Sequence, residues 1–257
     1  MDITNYLINC VNNNIPVSFS KYGDGELACI LQQNDCNCDR DIYTDKLSKC
    51  LKESFIYMID KADNAYIGYW YWNDLECKKY FENIVKKDIK WADYHTFIFI
   101  KINDQNKLLL YKTIKHSKLK KIIVCNQLLI KSKFLLDIDE IVFVPFNNWF
   151  DTQFDTILNQ VKEKIGIDGN HIVITCCGMS AKVLICELTK AFPKGIYLDF
   201  GSALDIICTK RDSRGWNYGY EYFTNLLQDC LPENWEDEKY NELYEISKDK
   251  LGLHLSK

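Results

Sequence analysis

The chain has 257 residues, 47% of them hydrophobic and 14% aromatic, enough for a packed core, so disorder is not the expectation. A formal net charge of −4 without a long basic block excludes a generic binder of nucleic-acid phosphates. No run of about 18 apolar residues occurs, and no basic N-terminal region precedes an apolar one, so neither a membrane span nor a signal peptide is expected.

In chain order, residues 16–23 (PVSFSKYG) alternate as a short strand does, and ELACILQQ after them can open a helix. Within 44–60, Leu47, Leu51 and Phe55 give one apolar helical face. NAYIGYWYW (64–72) reads as a strand. Cys77, Phe81, Ile84 and Val85 mark an amphipathic helix, followed by the strand HTFIFIK (95–101). A helix near 104–116, the strand KIIVC, a short helix and the strand EIVFVP come next. Asp151 reads as the N-cap of a helix carrying Phe154, Ile157, Leu158, Val161 and Ile165. The strand HIVITCC, a helix with Ala181, Leu184, Ile185, Leu188 and Phe192 in register, and the strand GIYLDF complete the pattern.

Apolar strands alternating with amphipathic helices predict an α/β fold: a Rossmann-like, mostly parallel sheet with helices on both faces. Without a linker or a repeat, 1–257 reads as one domain, with a core of about 14–208 and a charged, aromatic, helical C-terminal tail over 209–257. Of the twelve cysteines, Cys29, Cys125, Cys176, Cys177, Cys186 and Cys208 lie in apolar segments, where a thiol is a small hydrophobe; a reducing, cytoplasmic compartment is expected. The abundance of Asn, Lys, Ile and Tyr looks like AT-rich coding, as in some large DNA viruses and low-GC bacteria; for such a virus the compartment would be the host cytoplasm.

Ligands of open α/β sheets bind at the carboxyl ends of the strands. The residues there are GDGE at 23–26, Asn126, PFNNW at 145–149, CGMS at 177–180 and DFGSALD at 199–205. Asp24 and Glu26 would diverge by about 200° on a helix, but on a turning backbone permitted by Gly23 and Gly25 they can face one side and hold a divalent cation. Equally, Asp-Gly makes a tight turn and Glu26 suits the first turn of a helix. Ser180 after Gly178 opens a helix whose N-terminus either receives a phosphate or is simply capped by the serine. Lys210, Arg211 and Arg214 beside Trp216 and Tyr218 form a clamp for a diphosphate or a solvated charge run. Cys36 and Cys38 lack the second pair that a zinc site requires, and His95, His116, His171 and His254 show no metal spacing.

Taken together, SFSKYGDGELACI, IIVCNQLLI, IVFVPFNNWFDTQFDTILNQV, IVITCCGMSAKVLICEL and IYLDFGSALD resemble, in the same order, the segments of GT-D type glycosyltransferases. That family has a Rossmann-like fold and a D-x-E motif for a metal and a sugar nucleotide. The resemblance implies Asp24 and Glu26 as metal ligands for Mn²⁺ or Mg²⁺, and Lys21, Gly23, Gly25, Asn126, Asn147, Gly178 and Ser180 along a donor pocket. Asp199 would sit at the edge of the same cleft, with Arg211 and Arg214 helping at the diphosphate. The implied activity is transfer of a sugar from a nucleoside-diphosphate sugar, first a UDP-sugar, to a hydroxyl of a glycan or glycoprotein, with Asp205 and then Asp199 as candidate bases. Lys21 stands where the family has arginine, Met179 where it tends to have a small residue or proline, and Ser-Ala-Leu-Asp follows Gly201 where some members have histidine. Two other classes stay open: a metal-dependent phosphate hydrolase or transferase on the same fold, and a non-catalytic glycan- or partner-binding module using Trp70, Trp72, Trp149 and Trp216, with oligomers compatible with any of them.

Overall fold

The computed structural model describes residues 2–33, 35–69, 74–93, 97, 105–167 and 169–209. Within them the first helix, α1 (Thr4–Asn13), is not among the expected elements, although Leu7, Cys10 and Val11, spaced as one helical face, form its short buried side. Then follow β1 (Val17–Lys21), α2 (Asp24–Ile30), α3 (Asp45–Asp60), β2 (Ala65–Tyr69), α4 (Asp74–Asn83), β3 (Trp91–Asp93) and α5 (Gln105–His116). The second half holds β4 (Lys120–Cys125), a 3₁₀ turn (Gln127–Leu129), α6 (Ser132–Leu135), β5 (Glu140–Phe143), α7 (Phe150–Ile165), β6 (His171–Cys176), α8 (Ser180–Ala191), β7 (Ile196–Asp199) and α9 (Asp205–Thr209).

The seven strands form one sheet in the order β3-β2-β1-β7-β6-β4-β5, and every pairing is parallel. Strands β1, β6 and β7 are buried along their whole length, because both faces of a parallel sheet are covered by crossover helices. Alternate residues of one strand therefore feed two cores. Ile123 and Leu198 pack with Leu7, Leu110 and Ile114 of α1 and α5, whereas Ile122, Val124 and Tyr197 pack with Phe55, Val161, Leu184 and Ile185 of α3, α7 and α8. The α/β, Rossmann-like class expected from the pattern is the one observed.

Several local expectations shift. The third strand falls at Trp91–Asp93, upstream of 95–101, most of which lies outside the described residues. Asp151 is not an N-cap: α7 begins at Phe150, two residues earlier than that cap would place it, Trp149 takes the cap position, and Asp151 accepts a hydrogen bond from the Thr44 hydroxyl at 3.1 Å. Trp149 is buried and stacks on Phe154, so it offers no contact surface to a glycan. The tail over 210–257, with Arg211, Arg214 and Trp216, lies outside the described residues, as do Trp70 and Trp72.

At the amino ends of the strands, His171 is enclosed with its Nε2 3.1 Å from the Tyr197 hydroxyl, which donates to the Phe192 carbonyl at 2.7 Å. Burial pushes the imidazole down from 6.5 to about 4. Between those values the unfolded chain binds a proton that the native protein refuses, so stability falls as pH drops through this window and levels off below it. Urea unfolding at about pH 7 and about pH 5 should show that loss. The His171→Gln variant should lose less over the same interval; an equally steep fall would remove His171 as the cause.

Candidate active site

The connection leaving β4 runs outward to β5, whereas that leaving β6 returns to β7, so the chain changes direction between β4 and β6. Crevices at such reversals are where open α/β sheets take ligands. Asn126 and Gly178 follow these two strands, and the ends of β1 and β7 lie alongside.

Lys21 closes β1, and the backbone enters α2 after Tyr22 and Gly23. Because Asp24 and Glu26 both belong to α2, they do not share a face. Asp24 is exposed at the first helical residue, while Glu26 turns inward and is buried. One Glu26 oxygen, Oε2, accepts the Gly23 N–H at 2.9 Å, which is half of a capping box, and Oε1 lies 3.0 Å from the Lys182 ammonium. Neither Gly23 nor Gly25 uses a left-handed backbone.

Lys182 stands in the first turn of α8 and its side chain runs back toward the helix start, as helical side chains do. Its ammonium meets Glu26, the Asp199 Oδ2 at 3.1 Å and the Gly178 carbonyl at 3.2 Å. Asp199 has no exposed surface. It accepts the Lys21 N–H at 2.9 Å and the Gly201 N–H at 3.1 Å besides its pair with Lys182. The Lys21 ammonium donates to the Phe200 carbonyl at 2.6 Å, and burial pushes it down to about 8, with Asp199 opposing the shift. Two lysines and two carboxylates thus cancel one another at the joint of β1, β7 and α8, as burial of charge demands.

Gly178 has φ +70° and Gly201 φ +53°, the left-handed region that glycine adopts without strain. Gly178 also lets another segment of the same chain come close: a Cβ there would stand 2.8 Å from the Asp41 Oδ2. Ser180 is the first residue of α8 rather than its cap; Met179 holds the cap position and no side chain caps the helix. Asn126 caps the 3₁₀ turn through Leu128 N–H at 2.9 Å, and the Asn147 amide donates to the Asp39 carbonyl at 3.1 Å. Asp205 is half-buried at the start of α9. Cys36 and Cys38 are exposed, and among the described residues no three His, Cys, Asp or Glu side chains gather into an all-protein metal cage.

Solved structures similar to this one include a glycosyltransferase carrying domain of unknown function 1792 from Streptococcus sanguinis, 16% identical with a TM-score of 0.59 over 91% of this chain and 95% of that one. Another, described as domain of unknown function 1792 with a distinct glycosyltransferase fold, is 15% identical with a TM-score of 0.58 over 78% of this chain and 77% of that one. This chain has the fold of those two structures. No family model matches the chain, and no curated protein matches it in sequence.

The structure adds Lys182 and Asp41, which reading the sequence missed. A lysine inside the run SAKVLIC, whose other members are all buried, was a usable signal for the first. Nothing around Asp41 in the sequence marked it.

Proposed function

We propose that the protein is a glycosyltransferase moving a sugar from a nucleoside-diphosphate sugar, with a UDP-sugar as first candidate, to a hydroxyl of a glycan or glycoconjugate. The observation that carries this reading is the glycosyltransferase fold shared along nearly the whole of the Streptococcus sanguinis chain. The strand-end crevice supports it, since it assembles Gly178 and the start of α8 beside the acidic step of α2.

The two acids of that step fit different tasks. Both Glu26 oxygens are engaged, and its carboxylate holds Lys182. Asp24, exposed at the start of α2, would hold the Mn²⁺ or Mg²⁺ ion together with the donor's phosphate oxygens. Such an ion supplies positive charge where the diphosphate departs. Arg211 and Arg214 are proposed to add to that charge, and Asn126, Asn147, Gly178 and Ser180 to line the donor pocket. Of the two candidate bases, Asp205 is preferred, because Asp199 is fully enclosed and already accepts from Lys21, Gly201 and Lys182.

A thermal-shift series with UDP, GDP, CDP and their sugar derivatives, each with and without Mn²⁺, tests the donor. One nucleotide family should raise the unfolding midpoint; silence from all of them would sink the reading. Asp24→Asn should leave the midpoint of the unliganded protein near that of wild type and abolish the Mn²⁺-dependent part of the shift. Glu26→Gln should lower the midpoint with or without nucleotide. If instead Asp24→Asn keeps the Mn²⁺ response, the ion has another ligand.

A further inference from the structure

Residues 35–43 form a small hairpin over this crevice. Cys36 and Ile42 make an antiparallel bridge, Tyr43 N–H donates to the Asp35 carbonyl at 2.9 Å, and the Asn37 Oδ1 accepts the N–H groups of Asp39 and Asp41 at 2.9 and 2.8 Å. The hairpin is fastened to the loop after β5 by polar bonds: Asn147 Nδ2 to the Asp39 carbonyl, Ile42 N–H to the Asn148 Oδ1 at 2.8 Å, and Asn148 N–H to the Asp41 Oδ1 at 3.0 Å. Its Ile42 is 57% exposed, and its one apolar anchor is Tyr43 at the carboxyl end, half-buried against the core that holds Cys29 and Leu47. Among residues 35–42 Asp41 alone is buried, 5% exposed. Its Oδ2 accepts from Asn37 Nδ2 at 3.2 Å and lies against Gly178, at the start of α8.

The geometry points to residues 35–43 as a lid, latched by the Asp41 carboxylate standing where a phosphate group of the donor binds, so that the donor's diphosphate opens the lid by taking its place. This rests on the donor reading above. A carboxylate is the chain's own nearest equivalent of a phosphate oxygen pair, and the start of a helix favours either anion. Burial pushes the Asp41 carboxyl up, which is the sign of a charged group held in a site that solvates it poorly. With Tyr43 packed at its base, residues 35–42 are held over the crevice by polar bonds and one buried acid, the kind of segment that opens locally at low cost.

Calorimetric titration with UDP and with inorganic pyrophosphate, in Mn²⁺, combined with hydrogen exchange of the hairpin, tests it. On adding UDP, the amides of Asp41, Ile42 and Asn148 should exchange faster. Asp41→Asn should bind both ligands about tenfold more tightly than wild type, since the competing charge is gone. Asn37→Ala, which loosens the latch and keeps the acid, should also bind them more tightly, and it stands in should Asp41→Asn fail to fold. UDP binding with unchanged or slower exchange at those amides overturns the lid. A gain confined to UDP and absent with pyrophosphate overturns the phosphate role. Absence of nucleotide binding by wild type and both variants overturns the donor reading, and the lid with it.

Discussion

Replacing Lys182 by Met is expected to cost about 3–5 kcal/mol, most of the margin of an ordinary domain. Methionine keeps an apolar stem one atom shorter but strands two carboxylates whose side chains are 10% and 0% exposed, Glu26 and Asp199. Both were paired at 3.0 and 3.1 Å with the ammonium that is removed. Water cannot reach them to replace it, so the penalty is that of an unpaired buried charge rather than the modest value of a surface pair. Urea unfolding of the single variant measures the loss. Adding Glu26→Gln should recover part of it by deleting one stranded charge, and the double-mutant cycle should show strong coupling. A Lys182→Met protein that unfolds at the wild-type urea concentration would mean that the ammonium does not hold the joint of β1, β7 and α8 together.

Gly201→Ala should destabilise the fold by about 2–4 kcal/mol through two separable effects. At φ +53° any side chain is strained, and the new Cβ would collide with the Lys21 ammonium and stand 2.9 Å from its Cε. Lys21 is buried and tied to the Phe200 carbonyl, so it has nowhere to retreat without abandoning that bond. Gly166 is the natural control. It has φ +74° with nothing within 4 Å of a Cβ, so Gly166→Ala should show the backbone term alone, about 1 kcal/mol. Equal losses at the two positions would show that the Lys21 contact carries no cost.

These two variants also mark the boundary between pattern and packing. The alternation of apolar strands with helices such as α7, whose Phe154, Ile157, Leu158, Val161 and Ile165 recur on one face, determined the α/β class and the parallel sheet, because both follow from local periodicity and from the need to cover two faces. The strand ends determined which segments share one edge of the sheet, GDGE and CGMS among them, since each directly follows a parallel strand. Tertiary structure alone decided which partners those segments meet. Whether Asp24 and Glu26 turn the same way depends on where α2 begins. It begins at Asp24, which sends one acid to solvent and the other to Lys182, 156 residues further along the chain. Likewise Asp41 meets Gly178 only because the hairpin folds across the sheet edge, and no spacing in a sequence encodes a contact made by two loops that are distant along the chain.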